Sequence, residues 1–198
     1  MTKLDRMYKI SKEILIIFFI LSLSFFVLYN PYVRPADNMT YGYWTITKRE
    51  HRLLLGLTGH TFIEMRDETG KVIKQMHGLA TDENNNYKTV GNSSTDKLKV
   101  WEFDFDLYKE VRGVDIGNTT VTLLRTDKVE VNKFWNKAKN CSEAINNKNI
   151  PYPEFGFSLF SETENSNSVA DSLIFCMGLQ NQNIGLITPG RNNNLLMD

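Results

Sequence analysis

The spacing of apolar positions changes twice along the chain, and each change predicts a different kind of element. Residues 14–29 read ILIIFFILSLSFFVLY, a run without a charged side chain. Between residues 41 and 126, apolar and polar positions alternate over short segments, which is typical of strands. From residue 127 onward the apolar positions recur every three or four residues, which predicts helices.

The apolar run predicts a membrane segment. Sixteen helical residues span about 24 Å, somewhat less than a hydrocarbon core of about 30 Å. The run is apolar on all faces, unlike a helix that packs one face on a soluble core. Four basic residues precede it and favour a cytoplasmic N-terminus: Lys3, Arg6, Lys9 and Lys12.

These features predict four segments: a cytoplasmic basic tail (1–13), a transmembrane signal anchor (14–33), a linker (34–40) and an exported domain (41–198). A cleaved signal peptide is the alternative, because its basic and apolar regions look much the same. The chain has no small-x-small cleavage site after the run, and Arg34 lies just before the cut that would follow Ala36. Both interpretations export the residues from about 40 onward.

Three segments of the exported part predict strands of an antiparallel sheet. HTFIEMRDETGKVIKQMHGL (60–79) predicts a hairpin whose turn uses the positive φ of Gly70. KLKVWEFDFDL (97–107) alternates throughout, which puts Glu102, Asp104 and Asp106 on one solvated face. NTTVTLLRTD (118–127) is a shorter strand candidate.

Two later segments predict helices that pack on this sheet. Residues 128–147 have an amphipathic spacing, and Asp127 is a suitable N-cap. NSNSVADSLIFCMGL (165–179) opens with cap-forming residues, carries an apolar stripe and ends near Gly178. The fold class is therefore predicted to be α+β, an antiparallel sheet packed by helices and preceded by one N-terminal transmembrane helix.

Composition narrows the function classes. Twenty-three basic and 23 acidic residues cancel, so no basic stripe points to a nucleic-acid partner. The membrane is the partner that the N-terminal run implies. Cys176 falls among the apolar residues of the last helix, and a buried free thiol is the simpler interpretation. A single disulfide with Cys141 is the alternative.

The candidate chemistry lies on the histidines and on one serine. His51 belongs to the basic stretch TKREHR and is expected to face solvent. His60 begins the first strand of the predicted hairpin and His77 ends the second. Antiparallel pairing of the two strands would bring both histidines near one rim of the sheet. Ser166 opens the last helix, where backbone N–H groups and the helix dipole could stabilise an oxyanion. Asn and Ser at this position are also favoured caps in their own right.

Two motifs and their order resemble circularly permuted papain-like (NlpC-type) hydrolases. Gly59-His60-Thr61-Phe62 comes first, and Asn165-Ser166-Asn167-Ser168-Val169 follows about a hundred residues later at a helix start. In that family a strand histidine precedes a cysteine nucleophile at a helix N-terminus. The chain resembles certain bacterial membrane or exported proteins still more closely. These carry Asn-Ser-Asn-Ser/Thr and a downstream Pro-Gly segment, which in this chain is LITPGRNNNLL.

The resemblance implies that Ser166 stands where the family has its thiol, with His60 as base. His77, Glu64 and Asp82 are candidates for the group that orients the base. The reaction would be hydrolysis or acyl transfer at an amide or ester bond, with cell-wall peptide or lipid as substrate. A serine is far less acidic than a thiol, so the site could also be a relic. One alternative is therefore a catalytically inactive binding module at the envelope. A toxin or immunity-type protein is a separate alternative.

No cofactor is implied by the sequence. His60, His77 and nearby carboxylates are of metal-ligand type, but no ligand spacing such as H-E-x-x-H is present, so no metal site is predicted.

Overall fold

The computed structural model describes residues 42–53, 58–88, 91–107, 119–153, 164–184, 190 and 193–197. The chain divides into two units, Met1–Val33 and Arg34–Asp198, and all of these residues belong to the second. The predicted basic tail, signal anchor and linker lie outside the described residues. Neither of the two helices in the described ranges combines the length and apolar character needed to cross a membrane.

The predicted α+β class is confirmed by an antiparallel sheet and two helices. The elements follow in the order β1 (Trp44–Leu53), β2 (Thr58–Arg66), β3 (Val72–Thr81), β4 (Tyr87–Lys88), β5 (Lys97–Phe103), β6 (Thr119–Thr126), α1 (Lys128–Asn147) and α2 (Ser166–Met177). The strands lie in the order β4-β3-β2-β1-β6, and β5 also pairs with β3. The β2–β3 hairpin is as predicted, with Gly70 at a φ of 81° in its turn.

The polar stretch before the hairpin is a central strand, which the sequence pattern did not predict. β1 pairs with β2 on one side and with β6 on the other. His51, expected to face solvent, is 2% exposed, and Lys48, Arg49 and Glu50 are buried with it. A charged run can form an interior strand here because its side chains meet partners, such as Asp171 for Lys48 and Glu64 for Arg49.

Side chains alternate along each strand, so the sheet has two unlike faces. On the helix face, Ile46, Ile63 and Met76 pack with Trp135 and Leu173 in the main core. The opposite face carries all three histidines, and we call it the histidine face. A smaller apolar cluster covers part of it: Leu79, Phe103 and Leu107, with Trp101 at the margin.

The predicted strand 97–107 is shorter than expected, because the chain turns after Phe103. The Leu107 N–H donates to Gln75 Oε1 on the histidine face at 2.9 Å, which folds residues 104–107 back over the sheet. Asp104 is exposed as predicted, whereas Glu102 is half-buried and accepts the Trp135 Nε1–H at 2.9 Å. Asp106 does not lie on their face. It contacts Arg49 instead, at 2.9 Å.

The two helices are capped as the sequence suggests and are joined by a disulfide. Asp127 accepts the Glu130 N–H at 2.9 Å, and α2 ends at Gly178 with a left-handed φ of 74°. The interpretation of Cys176 as a free thiol is wrong, since it is bonded to Cys141. The disulfide is possible because Cys141 on α1 and Cys176 on α2 face each other between the packed helices.

Candidate functional site

α2 begins in a gap between β2 and β3. The pairing of these strands runs from Arg66–Val72 to Ile63–Met76, while β2 continues back to Thr58 and β3 on to Thr81. Asn165 caps the helix there: its side chain accepts the N–H groups of Asn167 and Ser168, and the Ser168 hydroxyl accepts the Asn165 N–H. This reciprocal arrangement is a capping box.

Asn167 replaces the missing strand pairing on the β2 side of the gap. Its Oδ1 accepts the Thr61 N–H and the Thr61 hydroxyl, both at 2.8 Å. Its Nδ2 donates to the Gly59 carbonyl at 3.2 Å. The amide thus offers one acceptor and one donor to the edge of β2, as a peptide group of a neighbouring strand would. The two residues that it holds flank His60.

Ser166 lies against β3 on the other side of the gap. A Cβ added to Gly78 would be 2.9 Å from the Ser166 Cα and 2.7 Å from the Val169 Cβ, so only glycine allows this approach. The Ser166 hydroxyl lies close enough to the Tyr152 hydroxyl to lower the pKa of that phenol slightly. Burial, and to a lesser degree the Asp96 charge, raises the pKa of Tyr152 to about 12. This phenol is therefore protonated at neutral pH and cannot act as a base for the serine.

The remaining polar residues of α2 each hold a different part of the fold. The Ser168 hydroxyl donates to the Gly190 carbonyl at 2.8 Å. The Ser172 hydroxyl donates to the Ser168 carbonyl and accepts the Leu195 N–H at 2.8 Å. Asp171 forms a buried ion pair with Lys48 of β1. The polar residues of α2 therefore connect this helix to the sheet and to the C-terminal residues.

His60 and His77 are hydrogen-bonded to each other on the histidine face, with His60 Nε2 and His77 Nδ1 3.0 Å apart. Their ring planes differ by only 3°, and the centroids are 5.3 Å apart, so the rings meet edge to edge. His77 Nε2 lies 3.0 Å from Gln75 Oε1, and Gln75 Nε2 donates to Glu64 at 3.1 Å. Both rings are 5% exposed or less.

The partners of Gln75 fix the protons of both rings. The Gln75 Oε1 accepts the Leu107 N–H, so His77 Nε2 must donate to that oxygen. His77 Nδ1 is then an acceptor, and His60 Nε2–H is the donor to it. Both rings are accordingly neutral Nε2–H tautomers in this arrangement.

Burial keeps these rings uncharged. It lowers the pKa of His60 to about 3, with a smaller contribution from the charge of His51. It also lowers the pKa of His77 well below its usual value, helped by His60, Arg49 and His51. A base with so low a pKa accepts a proton poorly at neutral pH, which weakens it as a general base.

The residues that the sequence associated as a catalytic pair lie on opposite faces of the sheet. The Thr61 side chain contacts Asn167 on the helix face, so His60, next to Thr61, points to the histidine face. Ser166 packs over Gly78 on the helix face. His77 is the neighbour of His60 rather than of the serine.

The other candidate orienting groups have different partners. Glu64 reaches the histidines only through Gln75 and is otherwise bound by Thr47, Arg49 and Arg66. Asp82 caps its own turn by accepting the N–H groups of Asn84 and Asn86. Within the described part of the chain, no three His, Cys, Asp or Glu side chains are arranged to hold a metal ion.

Sequence reasoning missed Asn167, Gln75, Arg49 and Tyr152. Only Asn167 had a visible signal, because it lies inside the Asn-Ser-Asn-Ser motif. The others come from a polar strand, a hairpin strand and a loop, and only the folded chain brings them together. Comparison with known proteins gave no match: no protein-family model, curated protein or solved structure matches this chain.

Proposed function

We propose that the chain is an envelope protein whose exported domain is a catalytically inactive, papain-like binding module. The resemblance of its two motifs, in their order along the chain, supports the papain-like kinship. The observation that carries the inactive assignment is the position of the Ser166 hydroxyl. It lies on the helix face, where Ser166 packs over Gly78, while His60 is hydrogen-bonded to His77 on the other face.

Two independent features support export. One is the uncharged apolar run 14–29 behind a basic N-terminus. The other is the disulfide between Cys141 and Cys176, because such bonds persist in oxidising compartments and are rare in the cytosol. Together they favour a domain outside the cytoplasm that is tethered by its N-terminal segment.

The cysteine chemistry of a papain-like site offers a sharp test through Ser166→Cys. If His60 could act as the base for residue 166, the introduced thiol would ionise well below its ordinary pKa of about 8.5. We expect instead that iodoacetamide alkylates the introduced thiol with an apparent pKa of about 8.5 or higher, since position 166 is buried. The native cysteines are bonded to each other and do not interfere.

The same question is asked of the natural residue with a fluorophosphonate probe on the full chain. Ser172→Ala is the control, because Ser172 is a buried α2 serine with structural partners. We expect the wild type, Ser166→Ala and Ser172→Ala to give the same background labelling. Labelling that disappears in Ser166→Ala but persists in Ser172→Ala would overturn the proposal and favour a serine hydrolase or acyltransferase. An apparent pKa below about 6 for the thiol of Ser166→Cys would do the same.

A further inference from the structure

The histidine face holds a short chain segment through buried hydrogen bonds. This segment is Asp104–Leu107, and we call it the flap. Its Leu107 N–H donates to Gln75 Oε1, and its Asp106 carboxylate binds Arg49 at 2.9 Å. The Leu107 side chain, 1% exposed, packs with Leu79 and Phe103. Gln75 is thus the direct link between the flap and the histidine pair.

The described charged groups under the flap are paired with one another. Glu64 is fully buried and binds both Arg49 and Arg66, and Arg49 also binds Asp106. A proton on either imidazole would add a positive charge to a buried site that already contains Arg49, which is costly unless the site opens to water.

We propose that the His60–His77 pair is an acid-sensitive latch: it holds the flap on the sheet while both rings are neutral and releases it when they are protonated. The release would expose Phe103 and Leu107, which the flap now keeps out of water. This inference is independent of the role of Ser166. Only the location of the domain outside the cytoplasm, where it would be exposed to changes in external pH, rests on the proposed function.

The hydrogen-bond directions give the physical reason. His77 must accept from His60 at Nδ1 and donate to Gln75 at Nε2. When both rings are protonated, each ring has a donor at both nitrogens, so the His77 Nδ1–H and the His60 Nε2–H oppose each other whatever tautomers the neutral rings adopt. The Gln75 amide cannot relieve this conflict by flipping, because its oxygen serves Leu107 and its nitrogen serves Glu64.

Charged and titratable groups face the pair from three parts of the described chain. β1 supplies Arg49 and His51, β2 supplies Glu64, and the flap supplies Asp106. The lowered pKa of both rings agrees with the cost of charging them in this environment. Protonation of Asp106 would also weaken the flap contact directly, so the test must separate Asp106 from the histidines.

Hydrogen exchange of the full chain, measured by mass spectrometry from pH 7 to pH 4, tests the latch. After correction for intrinsic exchange rates, we expect protection of peptides covering the flap to fall by up to about 100-fold per pH unit below pH 6, because two imidazoles each take up a proton. Peptides around Ala138 in the middle of α1 should lose protection far less. An equal loss in both regions would mean global unfolding and would overturn a local latch.

Two variants identify the sensor. His60→Gln removes one titrating ring but keeps a side-chain amide that can donate to His77. In this variant the protection of the flap should therefore fall by no more than about tenfold per pH unit. Asp106→Asn should keep the steepness of the wild type. If His60→Gln is too unstable, His77→Gln makes the same test. Flap protection that is constant down to pH 4, or a dependence abolished by Asp106→Asn alone, would overturn the proposal.

Discussion

Asn167 binds Thr61 through both the backbone N–H and the hydroxyl, at 2.8 Å each, and reaches the Gly59 carbonyl with the other end of its amide. One side chain at the start of α2 therefore completes the edge of β2 where β3 has separated from it. Asn167 and Thr61 are both buried, so water cannot readily replace these bonds. The motif in which the sequence analysis placed a catalytic Ser166 thus connects α2 to the sheet through Asn167.

Replacing Asn167 should destabilise the domain strongly. Asn167→Ala leaves the Thr61 N–H and the Gly59 carbonyl buried without the partner that the amide supplies, and each such loss costs about 1–3 kcal/mol. We expect a total of about 2–4 kcal/mol in urea unfolding. Asn136→Ala, an exposed asparagine of α1, is the matched control and should change stability by about 0.5 kcal/mol at most.

The donor end of the amide is tested separately by Asn167→Asp. A carboxylate keeps the acceptor for Thr61 but turns an oxygen toward the Gly59 carbonyl, while the helix N-terminus favours its charge. We expect a smaller loss than for Asn167→Ala. If both Asn167 variants are as stable as Asn136→Ala, the amide does not replace the strand pairing.

The close approach of α2 to β3 makes Gly78 harder to replace than Gly59. A Cβ at position 78 meets the Ser166 Cα, which is backbone, and the stiff Val169 side chain. A Cβ at position 59 meets Cγ and Cδ of the buried Glu50, both at 2.5 Å, but these atoms belong to an unbranched side chain and not to the backbone. We expect Gly78→Ala to cost about 2–3 kcal/mol and Gly59→Ala clearly less, measured by thermal or urea unfolding. Equal costs would argue against tight helix–strand contact at Ser166.

The sequence predicts most elements because their hydrophobic spacing agrees with their burial. The hairpin, β6, both helices and the cap at Asp127 follow from alternation, helical periodicity and capping residues. β1 does not, because its interior position depends on ion pairs with distant residues rather than on apolar side chains. Lys48 is buried because its ammonium group binds Asp171, 123 positions later, and Asn181, 133 positions later. No local pattern contains that information.

The candidate site was predictable in its position along the chain but not in its geometry. The order of the two motifs predicts that the start of α2 lies next to the strand that carries His60. The contacts of Asn167 with Thr61 and Gly59 agree with this prediction. Which face His60 occupies depends on the strand register, and a shift by one residue reverses it. The register is fixed by the pairing of His51 with His60, and thus by β1, the strand that the pattern missed.

Removing the disulfide should weaken the contact between the helices without changing the fold. Cys141 and Cys176 are 35 positions apart, and a bond that closes a loop of that size stabilises by about 4 kcal/mol in the chain-entropy account. We expect Cys141→Ala with Cys176→Ala to lose about 2–4 kcal/mol in urea unfolding. In the wild type, denaturing alkylation without reductant should modify neither cysteine. Two modified cysteines in protein taken from its native compartment would contradict both the bond and the export that it supports.

The buried histidines should make overall stability fall in mild acid. Their pKa values are depressed in the folded state, so between about pH 6.5 and the lower folded values the unfolded chain binds more protons, and unfolding becomes easier as the pH decreases. Each such ring contributes about 1.4 kcal/mol per pH unit in that window. His60→Gln lacks one contribution but keeps all carboxylates. The stability advantage of the wild type over His60→Gln should therefore shrink by about 2 kcal/mol between pH 6 and pH 4.5 in urea unfolding. A constant difference across that range would show that His60 is not buried in the neutral form, and the hydrogen bond to His77 would have to be reassigned.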